Sequence, residues 1–131
     1  MIKIVNNLIP VKGFIAMNIW PFLFIRKENE KYVTPTALNH ENIHSCQQLE
    51  MLVTGLILMI GSLFLGFGWW GLLFLPLFYW WYLIEWCVKC LIYNDSKKAY
   101  KEIGFEKEAY TNEKNLSYIS RRKHFAWFSY I

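Results

Sequence analysis

The chain has 131 residues, enough for one domain and too few for two of ordinary size. Hydrophobic residues make up 55% and aromatics 19%, while charged residues reach only 18%, below the ~25% usual in soluble domains. The net charge is +4, and the three cysteines (Cys46, Cys87, Cys90) are too few and too poorly placed for a disulfide framework.

In chain order, residues 1–26 read as extended. Leu8-Ile9-Pro10 and Trp20-Pro21 break any helix, and Phe14 to Ile19 and Phe22 to Ile25 are β-prone, which gives a short N-terminal β-hairpin. Thr34-Pro35 is a helix start, with threonine as cap and proline at the first helical position. From there the helix runs unbroken through His40 and His44. Between Met51 and Ile84 lie 34 consecutive residues without Asp, Glu, Lys, Arg or His, well beyond the ~18 that read as a membrane span. The run starts too far from the N-terminus for a signal peptide, and no A-x-A-like cleavage site precedes it. One helix of that length would measure ~51 Å against a ~30 Å hydrocarbon core. Gly66-Phe67-Gly68-Trp69-Trp70-Gly71 supplies the break, glycine for a reversal and the tryptophan pair for the membrane–water interface. The expectation is a transmembrane helical hairpin with spans near residues 46–66 and 69–92.

Charge orients that hairpin. Lys3, Lys12, Arg26, Lys27 and Lys31 precede it, the other nine of the 14 Lys/Arg follow its turn, and the turn carries none. A hairpin gathers all of them on one face, which the positive-inside rule makes cytoplasmic, both termini included. After the second span, Asn94 to Ile103 is polar and helix-prone, and a short helix follows across Phe105 to Glu113. Leu116 to Ile131 mixes Arg121, Arg122 and Lys123 with Phe125, Trp127, Phe128 and Tyr130, the composition of an interfacial helix on anionic lipid. The fold class expected is a mainly α membrane protein: one membrane-embedded domain over residues 1–131, with a helical hairpin, a short N-terminal β-hairpin and C-terminal interfacial helices.

The chemistry lies in His40-Glu41-Asn42-Ile43-His44. Two histidines four residues apart on a helix project from one face, so two neutral imidazoles can bind one Zn²⁺. Glu41 beside them can act as general base toward a water activated by the cation. Gln47, Gln48 and Glu50 continue the polar face toward lipid, where such side chains are costly unless they meet protein, water or metal.

A catalytic zinc needs a third protein ligand and an open position. Phe105-Glu106-Lys107-Glu108-Ala109-Tyr110 lies after the hairpin, on the same side as His40. In these two motifs and the membrane setting the chain resembles the gluzincin metallopeptidases, above all the CAAX prenyl-protease-like membrane enzymes. It is also similar to a group of small bacterial H-E-x-x-H membrane proteins, a likeness that implies no activity. In gluzincins a later E-x-x-A helix supplies the third ligand, and the resemblance assigns that role to Glu106, with Ala109 matching. The usual aspartate after the alanine is Tyr110 here. Glu108 and His124 stay open as alternatives. So does a closed site built from Cys87-Val88-Lys89-Cys90 and the two histidines. Glu85 has three open roles: reaching the interface, pairing with Lys89, or supporting a metal ligand.

Together these imply a zinc-dependent peptide hydrolase at the cytoplasmic membrane interface. Its metal ligands would be His40, His44 and Glu106, and Glu41 its catalytic base. Membrane lipid and a peptide or membrane-proximal protein substrate are the expected partners, and nucleic acid is not. The resemblance also implies that an edge strand near Phe14 to Ile19 holds substrate as an added β-strand. The competing expectation is a non-catalytic membrane protein or assembly subunit with a structural metal site.

Overall fold

A computed structural model of the chain describes residues 1–10 and 15–131. Strands β1 (Ile2–Asn6), β2 (Ala16–Ile19) and β3 (Phe22–Arg26) come first, and a 3-10 turn over Lys27–Tyr32 leads into helix α1 (Pro35–Phe64). A 3-10 segment (Gly68–Phe74) and helix α2 (Leu77–Tyr93) form the returning arm. Helices α3 (Ser96–Glu102), α4 (Gly104–Asn112) and α5 (Tyr118–Arg121) and a 3-10 turn (Ala126–Tyr130) follow. The protein is thus mainly helical, with one small sheet at its N-terminal end.

The sheet holds more than the hairpin expected. β2 and β3 pair antiparallel across the Trp20-Pro21 turn, and β1 adds to the far side of β3 in parallel, giving the order β1-β3-β2. Asn6 ends β1 by accepting hydrogen bonds from the Leu8 and Ile9 amides at 2.8 and 2.7 Å. A parallel partner needs a crossover connection, which local β-propensity does not reveal. β2 lies at the sheet's edge. Of the segment expected to bind substrate, Phe14 lies outside the described residues.

α1 starts as its sequence predicts. The Thr34 hydroxyl accepts from the Ala37 amide at 3.1 Å, and Pro35 opens the first turn. The helix then runs 30 residues, long and apolar enough to cross a membrane, with only 28% of its apolar window buried. Beyond Leu65 the chain reverses through Gly66 (φ +79°) and Gly68 (φ +54°), conformations that favour glycine.

The returning arm is broken rather than one span over 69–92. Gly68–Phe74 and Leu77–Tyr93 meet at 62°, and Pro76 sits at the bend, where it cannot donate to a continuing helix. The first piece presses against α1. A Cβ on Gly55 would collide with the Phe74 carbonyl, and one on Gly71 with the Ser62 hydroxyl.

The C-terminal stretch departs most from expectation. It does not form one continuous helix. α5 is four residues long, and the chain then folds back so that Trp127 is fully buried, 4.5 Å from Phe105 and 5.3 Å from Trp81 between ring centroids. With Met51, Phe78, Ile103 and Phe105 it makes the hydrophobic core. Arg122, expected to meet lipid headgroups, instead reaches inward to Glu50 and Glu108. The continuous helix and the outward Arg122 are corrected for the same reason: mixed aromatic and basic composition fits a buried clamp as well as a surface helix.

Truncating Trp127 to alanine leaves a cavity at the centre of this core, and the expected cost is about 3–5 kcal/mol. The measurement is thermal unfolding in detergent with limited proteolysis of the segment after Asn115. The variant should unfold earlier and be cut faster; equal behaviour contradicts the core assignment.

Candidate metal centre

The site forms where α4 lies along α1. Asn39 near the start of α1 donates from Nδ2 to the carbonyls of Asn112, Glu113 and Asn115 at 3.3, 2.8 and 3.1 Å. Two turns further on, Gln47 donates from Nε2 to the Phe105 carbonyl and to Glu108 Oε2, both at 3.0 Å. The later α1 residue grips the start of α4 and the earlier one its end, so the helices run antiparallel. From α2, Glu85 Oε1 accepts from the Gly104 amide at 2.8 Å, and its Oε2 accepts from Trp81 Nε1 at 3.0 Å. Glu85 therefore caps α4, and Lys89 is only a long 3.9 Å partner. A capping carboxylate at a helix start also suits the helix dipole.

This clamp brings His40, His44 and Glu106 together. The two Nε2 atoms are 3.1 Å apart, His40 Nε2 is 3.6 Å from Glu106 Oε2, and His44 Nε2 is 3.4 Å from Glu106 Oε1. Among the described residues this is the group of His, Cys, Asp and Glu whose ligand atoms converge, all within 4.8 Å, and it can hold a metal ion. Cys87 and Cys90 are free thiols outside it. Glu108 is equally buried but faces away, accepting from Gln47, Tyr118 (2.9 Å) and Arg122 (2.6 Å). His124 stands exposed beside Glu50.

The hydrogen bonds behind the imidazoles fix their orientation. His44 Nδ1 is 2.7 Å from Gln47 Oε1. That oxygen is an acceptor, because the Gln47 amide nitrogen already donates to two oxygens, so His44 carries its proton on Nδ1. His40 Nδ1 lies 3.0 Å from the Glu113 carboxylate, another acceptor. Both Nε2 lone pairs then face Glu106. Glu106 Oε1 accepts from the Tyr82 hydroxyl at 2.8 Å, while its Oε2 is buried without a hydrogen-bond partner. Three acceptors this close repel one another unless a cation or a proton sits among them, and that is the fit expected of a metal site. Burial pushes the Glu106 carboxyl up, but when a proton rather than a metal sits among these groups, the charge it puts on His44 and hydrogen bonds with the two histidines and Tyr82 hold that carboxyl well below the usual carboxylate range. Glu41 is largely buried beside the same three residues, and burial pushes its carboxyl up.

Glu113, Gln47 and Tyr82 escaped the sequence reading as supporting residues. Glu113 had a signal, since it follows Glu106 by seven residues and so shares a helix face. Tyr110, which stands where the gluzincin pattern expects an aspartate, packs its ring edge-on against His40 at 4.7 Å.

A cavity of about 440 Å³ opens beside this cluster, bordered by the β2 edge on one side and by Phe78, Tyr79 and Tyr82 of α2 on the other. β2 is pinned there by α1. Asn18 Nδ2 donates to the Glu41 carbonyl and to Ser45 Oγ, the Trp20 amide donates to Gln48 Oε1 at 2.7 Å, and Gln48 Nε2 donates to the Asn18 carbonyl at 3.0 Å.

Replacing Glu113 by alanine should weaken metal binding by about 10–100-fold, the usual loss when the partner of a ligating histidine is removed. His40→Ala and Glu106→Ala should abolish it, and Cys87→Ser/Cys90→Ser should leave it intact. Titration calorimetry and metal content per chain check all four. Retention by Glu106→Ala with loss by the cysteine pair would overturn the ligand assignment.

No protein-family model matches the chain, and no curated protein or solved structure matches it either.

Proposed function

We propose that this chain is a zinc-dependent peptide hydrolase of gluzincin type, working where α1 enters a membrane. The observation that carries the reading is the convergence of one ligand atom from each of His40, His44 and Glu106, all within 4.8 Å of one another. Ligands ~2.0–2.1 Å from a tetrahedral zinc lie ~3.3 Å apart. The two histidine nitrogens are 3.1 Å apart, and each has one Glu106 oxygen near that distance, Oε1 at 3.4 Å from His44 and Oε2 at 3.6 Å from His40. Three protein ligands leave the fourth position open, as in catalytic rather than structural sites. Bound zinc supplies a Lewis acid that lowers the pKa of water toward neutrality.

The rest falls to the chain's own residues. Glu41 is the general base, taking the proton of the attacking water and returning it to the departing amine. Glu113 and Gln47 keep the histidine Nε2 atoms turned to the site, and the Tyr82 hydroxyl orients Glu106. The β2 edge borders the cavity, so an extended substrate can add to it as a further strand. The membrane reading is supported by the length and mostly unburied apolar window of α1. It is supported equally by the charge-free run with its flanking basic residues, which by the positive-inside rule favour a cytoplasmic side for both termini.

Glu41→Gln should keep zinc and lose ~10²–10⁴ in rate, because the amide retains size but accepts no proton. A proteome-wide comparison of cells carrying wild type or Glu41→Gln, with zinc content measured in parallel, checks it. Processing of the same targets at the same speed rejects a catalytic role for Glu41.

Cysteines introduced at Lys3 and Lys123 in a background without native cysteines should both resist membrane-impermeant labelling of intact cells. Labelling of one and not the other contradicts the hairpin topology.

A further inference from the structure

Given that peptidase reading, we infer that the site selects extended peptides carrying a large apolar or aromatic side chain next to the cleaved bond. Two observations support this.

The first is how little backbone the chain offers to a substrate. The Arg26 amide donates to the Ile15 carbonyl, and β2 pairs with β3 in the register Met17↔Phe24. Residues 15, 17 and 19 therefore spend their backbone groups on β3, and those of Ala16, Asn18 and Trp20 point the other way. Of this outward set, Gln48 already holds the Asn18 carbonyl and the Trp20 amide. Among the described residues, the Ala16 groups and the Asn18 amide remain. A peptide pairing there gains few backbone bonds before it runs into Gln48. Side-chain contacts must then supply most of the discrimination.

The second is the chemistry of the cavity those side chains enter. Across from β2 stand Phe78, Tyr79 and Tyr82, with Met17 and Pro10 completing the apolar wall. Its charged lining groups among the described residues are Glu41 and Glu106, with His40 and His44, all at the metal end. A substrate carboxylate or ammonium entering away from the metal end would give up its water for that apolar wall, which offers it no opposite charge among the described residues. A volume of about 440 Å³ is within the ~300–1,000 Å³ of ligand pockets and accepts an aromatic ring. The wall is also continuous with exposed apolar surface, since Tyr79 and its neighbour Trp80 are each 45% exposed on α2. Apolar segments at a membrane surface can thus approach without crossing a polar rim.

The test reads binding separately from turnover. Zinc-loaded Glu41→Gln in detergent micelles is titrated by fluorescence polarisation with labelled ten-residue peptides, identical except for Phe, Leu, Ala, Asp or Lys at one central position. Empty micelles are subtracted. Phe and Leu peptides should bind at least tenfold tighter than Asp or Lys peptides, in keeping with what even one methylene earns in an apolar pocket. Two further variants on the same background bring the effect back to this cavity. Ala16→Trp should fill it and weaken the Phe peptide about tenfold while sparing the Ala peptide. Met17→Asp should move the preference toward Lys. Equal binding of Phe and Asp peptides, an unchanged order in both variants, or no binding of any peptide overturns the inference. The expected order together with zinc-loaded wild type that cleaves none of the peptides upholds the pocket's preference and rejects the peptidase reading.

Discussion

The site depends on a single amide. Gln47 is fully buried and joins three parts of the molecule: the start of α4 through the Phe105 carbonyl, the buried Glu108 carboxylate, and the His44 ring. Its two donors and one acceptor are all used, so the amide has one orientation, and that orientation sets the histidine's tautomer. An apolar residue of similar size would pack as well against α4 yet take a partner from the Phe105 carbonyl and the Glu108 carboxylate and leave the buried His44 Nδ1 without its own, at a cost of about 1–3 kcal/mol for that group. One residue thus couples helix docking to the geometry of the cluster that can hold a metal ion.

Behind Gln47 lies the C-terminal clamp. Arg122 donates to Glu108 at 2.6 Å and to Glu50 Oε2 at 3.1 Å, the Phe125 amide adds a bond to Glu50 at 2.9 Å, and Trp127 fills the space beneath α4. Two buried carboxylates around one guanidinium are a costly arrangement unless every oxygen is engaged, and here Tyr118 and Gln47 complete Glu108. Removing the arginine would strand two charges. The last residues of the chain therefore belong to the framework of the site, though none of them touches it.

How far the sequence disclosed this varies with the kind of interaction. Elements set by neighbouring residues were readable: the Thr34-Pro35 start of α1, the glycine reversal after Leu65, and the pairing of His40 with His44 on one helix face. So was the polar stripe through Gln47, Gln48 and Glu50, although the partners of those residues were not. What depends on residues far apart in the chain stayed hidden. β1 pairs with β3 across an intervening strand, Glu85 of α2 caps α4, and Arg122 turns inward because two carboxylates await it there. Glu106 emerged from a likeness between motifs, whereas Glu113 became visible once α4 was seen to lie against His40.

Gln48 has a consequence for how the molecule behaves in company. An edge strand carries a row of unpaired amides and carbonyls, a template on which any other extended chain can grow, including a second copy of the same strand. By presenting a side-chain amide where a neighbouring strand would place its backbone, α1 closes part of that row from within. The strand stays accessible to a short guest and is too brief a template for sheet growth from one molecule to the next. Crowding in a membrane, where copies meet by lateral diffusion and share an orientation, is where such protection would matter most.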